Sequence, residues 1–417
     1  MFLSGSESSF AEATGDRSVS ESLSIQFVFQ FTWPELEKMI KKTHSRTMFL
    51  VAIIAKLTMV GRFRRDRRPD GLASRPYLKF ADIAVASLII TCLSLCMGVS
   101  ADESSTGKYE QMRALNGGVF NHQCLVINDF IYIVSQKGYV AYSKVEENGN
   151  IGPWKYAQIL FPEGMGENYF CAAAYGNCIY VLGGIYQDKL TDKGIQSATV
   201  IMARAKPEGG LLPWEKTTSL PEARIGGAAV VAKGCIYYVG GQYHRKVFFT
   251  RILDDGKLGE WKEAQQLPSN RYGMQVFAHG DYLYVVGGQV LHQKPVDTVF
   301  RTKIKEDGTL EKWRRTEPLP EPRAGYGGVI VGKDVFVFGG GLGDDAGQTA
   351  TAVGTTIEAD DHFADWKELP SLPMEASSLQ AVNARKWIYV IGGIKIQEGG
   401  NKVWNTVLRY ELGGQKE

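Results

Sequence analysis

An all-β protein, built as a six-bladed β-propeller with four antiparallel strands per blade, is what three observations in the 417-residue sequence predict. First, a short aromatic and β-branched run closed by two glycines keeps returning. Tyr180-Val181-Leu182-Gly183-Gly184, Tyr237-Tyr238-Val239-Gly240-Gly241, Tyr284-Val285-Val286-Gly287-Gly288, Phe336-Val337-Phe338-Gly339-Gly340 and Tyr389-Val390-Ile391-Gly392-Gly393 are plain copies, and Tyr132-Ile133-Val134-Ser135-Gln136 is a degraded one. Such runs read as strands, because branched and aromatic side chains suit a pleated, half-buried surface. Second, the aligned aromatics lie 48, 57, 47, 52 and 53 residues apart, a period that marks a repeat architecture. Third, Trp154, Trp214, Trp261, Trp313 and Trp366 recur in phase with the strands.

Taken from the N-terminus, residues 1–58 form no readable domain. They are predicted to be disordered or an overextended start, and the apolar run 49–60 is too short to span a bilayer. Residues 59–101 read as a signal peptide or a membrane anchor. Arg62, Arg64, Arg65, Arg67, Arg68, Arg75 and Lys79 precede an apolar run from Ile83 to Met97, and Val99-Ser100-Ala101 follows as a small-x-small cleavage site. A positive flank, a run of about 15 and small residues at the end are the parts of a secretory signal. Cleavage after Ala101 and a secreted or periplasmic product are therefore expected; an uncleaved 83–97 segment would leave the protein membrane-anchored.

From residue 102 onward each repeat reads as four short strands, with boundaries near 117–162, 163–221, 222–268, 269–320, 321–373 and 374–417. In the fourth, 274–278 and 282–286 flank His279-Gly280-Asp281, and 298–304 leads through Asp307-Gly308 to a last strand carrying Trp313. Asn148-Gly149, Gly209-Gly210 and Asp255-Gly256 repeat that hairpin turn, whose left-handed positions suit glycine. The sixth repeat stops after its third strand. Tyr109 precedes Leu115 by six residues, as Trp261 precedes Leu267, so strand 107–115 is predicted to complete the sixth blade with Tyr109 in the tryptophan position. Closure of this kind removes unpaired strand edges.

A glycine pair after an aromatic strand, a tryptophan some way downstream and then Leu-Pro-x-x-Arg (Leu220 to Arg224, Leu267 to Arg271, Leu319 to Arg323) resembles the kelch repeat. Galactose oxidase and the bacterial sialate epimerases are similar in this respect. The resemblance covers residues 109–412 and implies a kelch-type propeller; the first repeat departs from it by lacking its glycines.

Composition excludes some functions. Residues 1–101 carry 13 Lys and Arg against 9 Asp and Glu, which leaves 34 against 36 in the remainder. The repeat region is not basic, so no nucleic-acid partner is expected. Neither the six histidines nor the six cysteines show metal-ligand spacing, and Cys124, Cys171, Cys178 and Cys235 read as buried free thiols. No metal and no cofactor is expected. Gly341-Leu342-Gly343-Asp344-Asp345-Ala346 mimics a dinucleotide fingerprint, but that motif needs a helix to follow, and 348–356 reads as strand.

In a propeller the loop entering each blade shares a face with the loop after its second strand. The entering loops carry Arg224, Arg271 and Arg323. The other loops carry Tyr186-Gln187-Asp188, Tyr243-His244, His292 and Gly343-Asp344-Asp345. Arg224, Arg271, Arg323, Tyr243, His244 and His292 are thus the candidate ligand-binding residues around one mouth, since guanidinium forks suit carboxylates and aromatic rims suit sugars or proteins. The alternative for each arginine is structural, bonding carbonyls of a neighbouring blade. The glycine pairs, the five tryptophans and Tyr109 read as scaffold. The function that follows is an extracytoplasmic module binding a protein or a carbohydrate through an arginine-lined face, with no catalytic residues assigned. The alternative is an enzyme on an acidic sugar, as the likeness to sialate epimerases implies, with the arginines on the carboxylate and His244 or a loop acid moving protons.

Overall fold

The computed structural model describes residues 109–188, 191–343 and 347–412. The predictions for 1–58, the 59–101 leader, cleavage after Ala101 and the Asp344-Asp345 loop tip lie outside them. Six four-stranded antiparallel sheets form the blades. Blade 1 is Gln123–Ile127, Phe130–Val134, Tyr139–Lys144 and Lys155–Gln158. Blade 4 is Gln275–His279, Tyr282–Val286, Val299–Lys303 and Arg314–Thr316. Among the described residues the one helical turn is the 3-10 turn Gln136–Gly138.

The alternation in the second strands sets the packing. Side chains of successive strand residues point to opposite sheet faces. Tyr284 therefore packs toward blade 5, stacked on Phe363 at 4.9 Å, while Leu283 and Val285 pack toward blade 3. The same division gives six apolar clusters, one at each joint between blades. Tyr132, Tyr180, Tyr237, Tyr284 and Tyr389 are all fully buried. Burying a side chain of this size contributes about 1.5–3 kcal/mol.

A buried phenol still needs a hydrogen-bond partner. Tyr180 donates to Gly256 O at 2.6 Å, Tyr237 to Gly308 O at 2.8 Å, Tyr284 to Asp361 O at 2.9 Å and Tyr389 to Gly149 O at 2.7 Å. Each acceptor lies in the turn between the third and fourth strands of the next blade. Blade 5 carries Phe336 instead of tyrosine, and the next blade, the sixth, has no such turn. The hydroxyl is missing where its acceptor is missing.

Blade 6 is Gln380–Ala384, Trp387–Ile391 and Val407–Glu411, closed by Tyr109–Gln111 along the last of these. Trp154, Trp261 and Trp313 donate their indole N–H to Arg113 O, Thr218 O and Gln265 O at 2.8–2.9 Å, in each case the carbonyl two residues before a buried leucine of the preceding blade. Tyr109 donates its phenol to Pro370 O at 2.8 Å, two residues before Leu372. It fills the tryptophan position in geometry as well as in spacing. Each tryptophan stands one residue ahead of its fourth strand rather than within it.

The loops after the glycine pairs are more ordered than the sequence suggests. Those of blades 2, 5 and 6 fold into hairpins, Ile185–Gln187 with Gly194–Gln196, Gly341–Gly343 with Gly347–Gln348, and Ile394–Lys395 with Lys402–Val403. The strand read at 348–356 is in fact two strands, Gly347–Gln348 and Ala352–Thr356. Gly287 (φ 50°) and Gly288 (φ 90°) are both left-handed, and a Cβ on Gly288 would stand 2.7 Å from Met274 Cβ, so glycine is required there.

Candidate functional site

The entering loops and the loops after the second strands share one face, as expected. Bridges join Asn168 to Ile185, Tyr272 to Gln289, Ala324 to Gly341 and Ser377 to Ile394. Between them opens a funnel that runs into the channel between the six first strands, about 840 Å³ in all.

The three arginines do not line this funnel. Arg224, Arg271 and Arg323 are only 0, 2 and 1 % exposed. Arg271 Nη1 donates to Gly287 O and Thr298 O, both at 3.0 Å. Arg323 Nη1 donates to Gly339 O at 3.1 Å and Thr351 O at 3.2 Å. The guanidinium thus ties the entering loop to the glycine pair and third strand of its own blade, not of a neighbour. Burial lowers Arg271 to a pKa of about 10, which still leaves it charged at neutral pH. The physical reason for the inward turn is that the glycine-pair carbonyls, bent out of the sheet ladder, need buried donors.

Arg224 is different. It donates to Glu222 at 3.0 Å, yet its Nε and Nη1 are buried without partners. Glu222 also holds Lys246 and lies 4.0 Å from His244 Nδ1. The Lys246 contact holds the Glu222 carboxyl below its usual range. Tyr243 and His292 are exposed, His292 with a left-handed φ of 59° in its turn. None of these six residues borders the funnel.

What borders it was not legible as a motif. Among the described residues none that lines the funnel is charged. A ring of backbone runs around it. Asn121, Tyr169, Gly226, Gly273, Gly325 and Ser378 each stand two residues before their blade's first strand, and all six have φ between 50° and 67°. In this conformation their N–H groups reach the neighbouring carbonyl: Asn121 to Ser378 O (3.3 Å), Ser378 to Gly325 O (2.5 Å), Gly325 to Gly273 O (2.8 Å), Gly273 to Gly226 O (3.4 Å) and Gly226 to Tyr169 O (2.9 Å). No bond joins Tyr169 N–H to Asn121 O, so the ring is open between blades 1 and 2. A bulky side chain at positive φ is uncommon and costs conformational energy, and Tyr169 is 53 % exposed at this opening. Aligning the repeats on Gly226, Gly273 and Gly325 would have singled out Asn121, Tyr169 and Ser378 as the departures.

Just below the ring, Gln123, Gln275 and Gln380 open their blades' first strands at the same register. Gln275 Nε2 donates to Tyr326 O at 3.2 Å, whereas the half-buried amides of Gln123 and Gln380 have no partner among the described residues. His122, next to Asn121, is fully buried with both ring nitrogens unpartnered, and burial lowers its pKa to about 3, so it is neutral. Its counterparts are Phe170, Gly227, Met274, Tyr326 and Leu379. Cys124, Cys171, Cys178 and Cys235 are buried and free, and burial pushes the Cys124 and Cys171 thiols up. Among the described residues no group of three or more His, Cys, Asp and Glu could hold a metal, and no helix is long and apolar enough to cross a membrane.

Comparison with known proteins agrees with this architecture. No protein-family profile matches the chain. Mouse Kelch-like protein 23 is 26 % identical over 142 residues, 33 % of this chain and 22 % of that protein. Beta-scruin of Limulus polyphemus is 28 % identical over 102 residues, 23 % of this chain and 11 % of that protein. The matched part thus spans less than a quarter of either relative. Among solved structures, that of YjhT superposes with a TM-score of 0.55 at 17 % identity, covering 71 % of this chain and 96 % of YjhT. At that identity the likeness concerns the fold alone.

Proposed function

The chain is a kelch-repeat β-propeller, and on that premise we propose that it is a non-catalytic recognition module that binds a protein partner on its loop-bearing face. One observation carries this. Of the ten large apolar residues exposed among the described residues, Tyr139, Leu160, Tyr169, Ile195, Tyr243 and Ile396 lie on that face, and three lie on the opposite one. Exposed aromatic and aliphatic side chains gathered on one face, on loops that differ from blade to blade, suit a protein surface. The partial likeness to a kelch-like protein supports the same reading.

The acidic-sugar enzyme is the weaker alternative. It needs a cation facing the ligand, and the described residues of the funnel lining include none. An extracytoplasmic location remains part of the proposal: the 59–101 segment acts as a secretory leader, and N-terminal sequencing of the mature protein should begin at Asp102.

A photo-crosslinking amino acid placed at Tyr243 or Ile396 should capture a protein partner, and one placed at Tyr175 or Leu253, on the opposite face, should not. Capture from the opposite face alone, or turnover of sialic or uronic acids by the purified protein, would overturn the reading.

A further inference from the structure

We infer that the open joint of the backbone ring, between Asn121 and Tyr169, forms part of the wall of a binding site for a small uncharged polyhydroxylated ligand, a neutral saccharide. The protein-binding reading of the rim is not needed for this.

Four features of the funnel converge on that chemistry. The space it belongs to, about 840 Å³ with the channel between the first strands included, admits a small molecule. The described residues of its lining include no charged side chain, so a carboxylate or ammonium among them would lose water without meeting a counter-charge. At the open joint, the Tyr169 N–H and the Asn121 carbonyl have no partner among the described residues, whereas the other five joints spend both groups on each other. The Gln123 and Gln380 amides, one register step below, each offer a donor and an acceptor with no partner among the described residues. A sugar hydroxyl both donates and accepts, so neighbouring hydroxyls satisfy this mixed set, which a purely accepting or purely donating ligand would not.

Tyr169 supplies the remaining element. Its left-handed backbone is strained, and its ring stands half exposed at the joint rather than buried between blades. Strain of this kind persists where the surrounding structure holds it, and it gathers at ligand sites. An exposed aromatic face lining the same space as the Gln123 and Gln380 amides offers the apolar side of a pyranose a surface on which to lie.

The test uses the purified protein titrated calorimetrically with glucose, galactose, mannose and N-acetylglucosamine and their disaccharides, alongside glucuronic and N-acetylneuraminic acids. At least one neutral sugar should bind saturably, and the acids should bind at least about tenfold more weakly. Tyr169→Gly should weaken binding about tenfold without lowering the melting temperature, because glycine adopts that backbone freely, while Tyr169→Phe should retain binding. Gln380→Leu should weaken it to a similar degree by removing a donor and an acceptor. Tyr175→Ala, on the opposite face, should bind as the unaltered protein does. No saturable neutral sugar, tighter binding of the acids, or unchanged affinity in Tyr169→Gly and Gln380→Leu would each overturn the inference. A protein partner crosslinked at Ile396 alongside no sugar binding would sink this site and leave the rim reading standing.

Discussion

Blade 4 and blade 1 hold equivalent places in the ring and treat their joints differently. In blade 4 the Tyr284 phenol reaches its acceptor at 2.9 Å, Arg271 ties the entering loop to two carbonyls, Met274 fills the joint and Gly273 completes the backbone ring. In blade 1 the Tyr132 phenol lies 3.4 Å from Gly210 O, no arginine enters, His122 stands unpartnered in the joint and the ring is open. Even the Trp214 indole N–H, which by the pattern of its counterparts would donate to blade 1, has no partner. Blade 1 also lacks the glycine pair, and its 135–138 connection is shorter than any other second-to-third-strand loop. The open ring, the long Tyr132 bond and the unpartnered Trp214 indole gather at the joint with blade 2, whereas His122 packs against Gly392 of blade 6. Proteins give up local rules where a site needs the groups that the rules would consume.

The largest test removes the device that lets the other blades stay regular. Deleting residues 103–114 takes away the strand that covers blade 6 and the buried side chain of Met112, together with Tyr109 and its bond to Pro370. The stability loss should reach about 5 kcal/mol or more, read as a sharply lower melting temperature, because an edge is opened as well as apolar area exposed. An unchanged melting curve would refute closure by this strand.

Arg271→Met and Arg224→Met come next. The first leaves Gly287 O without its buried donor, while Thr298 O keeps the Gly287 N–H, and should cost about 2 kcal/mol; the second removes a charge whose Nε and Nη1 are already unpartnered and should cost less than about 1 kcal/mol. Equal losses in urea denaturation would show that the latch in blade 4 is not what distinguishes the two. Gly227→Ala probes the remaining irregular joint position. A Cβ there would lie 2.5 Å from the Tyr238 ring, so about 2 kcal/mol of overpacking is expected, and the additional change Tyr238→Val should recover most of it.

Smaller is the pair Tyr284→Phe and Phe336→Tyr. Losing the phenol leaves Asp361 O without its buried donor, for about 1 kcal/mol, whereas adding one at 336 gains nothing because blade 6 offers no turn carbonyl. The smallest effect at neutral pH belongs to His122→Leu. The folded protein holds His122 at a pKa of about 3 against an ordinary 6.5, so the unfolded chain binds the proton first. Stability from this group is whole above pH 6.5 and is lost as pH falls toward 3. His122→Leu should flatten the acid limb of a melting-temperature profile over that window; an unchanged limb would place the acid sensitivity elsewhere.

Period and alternation made the ring legible before any coordinates. Six aromatic strands near 50 residues apart fix the number of blades. The six-residue offset of Tyr109 from Leu115 fixes how they close, because each position repeats one physical task. Phe336 held a further clue, the one second-strand aromatic without a hydroxyl standing before the one blade without a turn. The candidate site was a different matter. Arg224, Arg271 and Arg323 stand on the expected loops, but which way a guanidinium turns depends on which carbonyls the fold leaves unpaired, and no local pattern records that. Asn121 and Tyr169 show why the rest needed the tertiary structure. Each is an unremarked residue in its own repeat, two positions before a strand. Only closing six blades into a circle brings them to the one joint where the ring of backbone bonds stops, each with a backbone group that has no partner among the described residues.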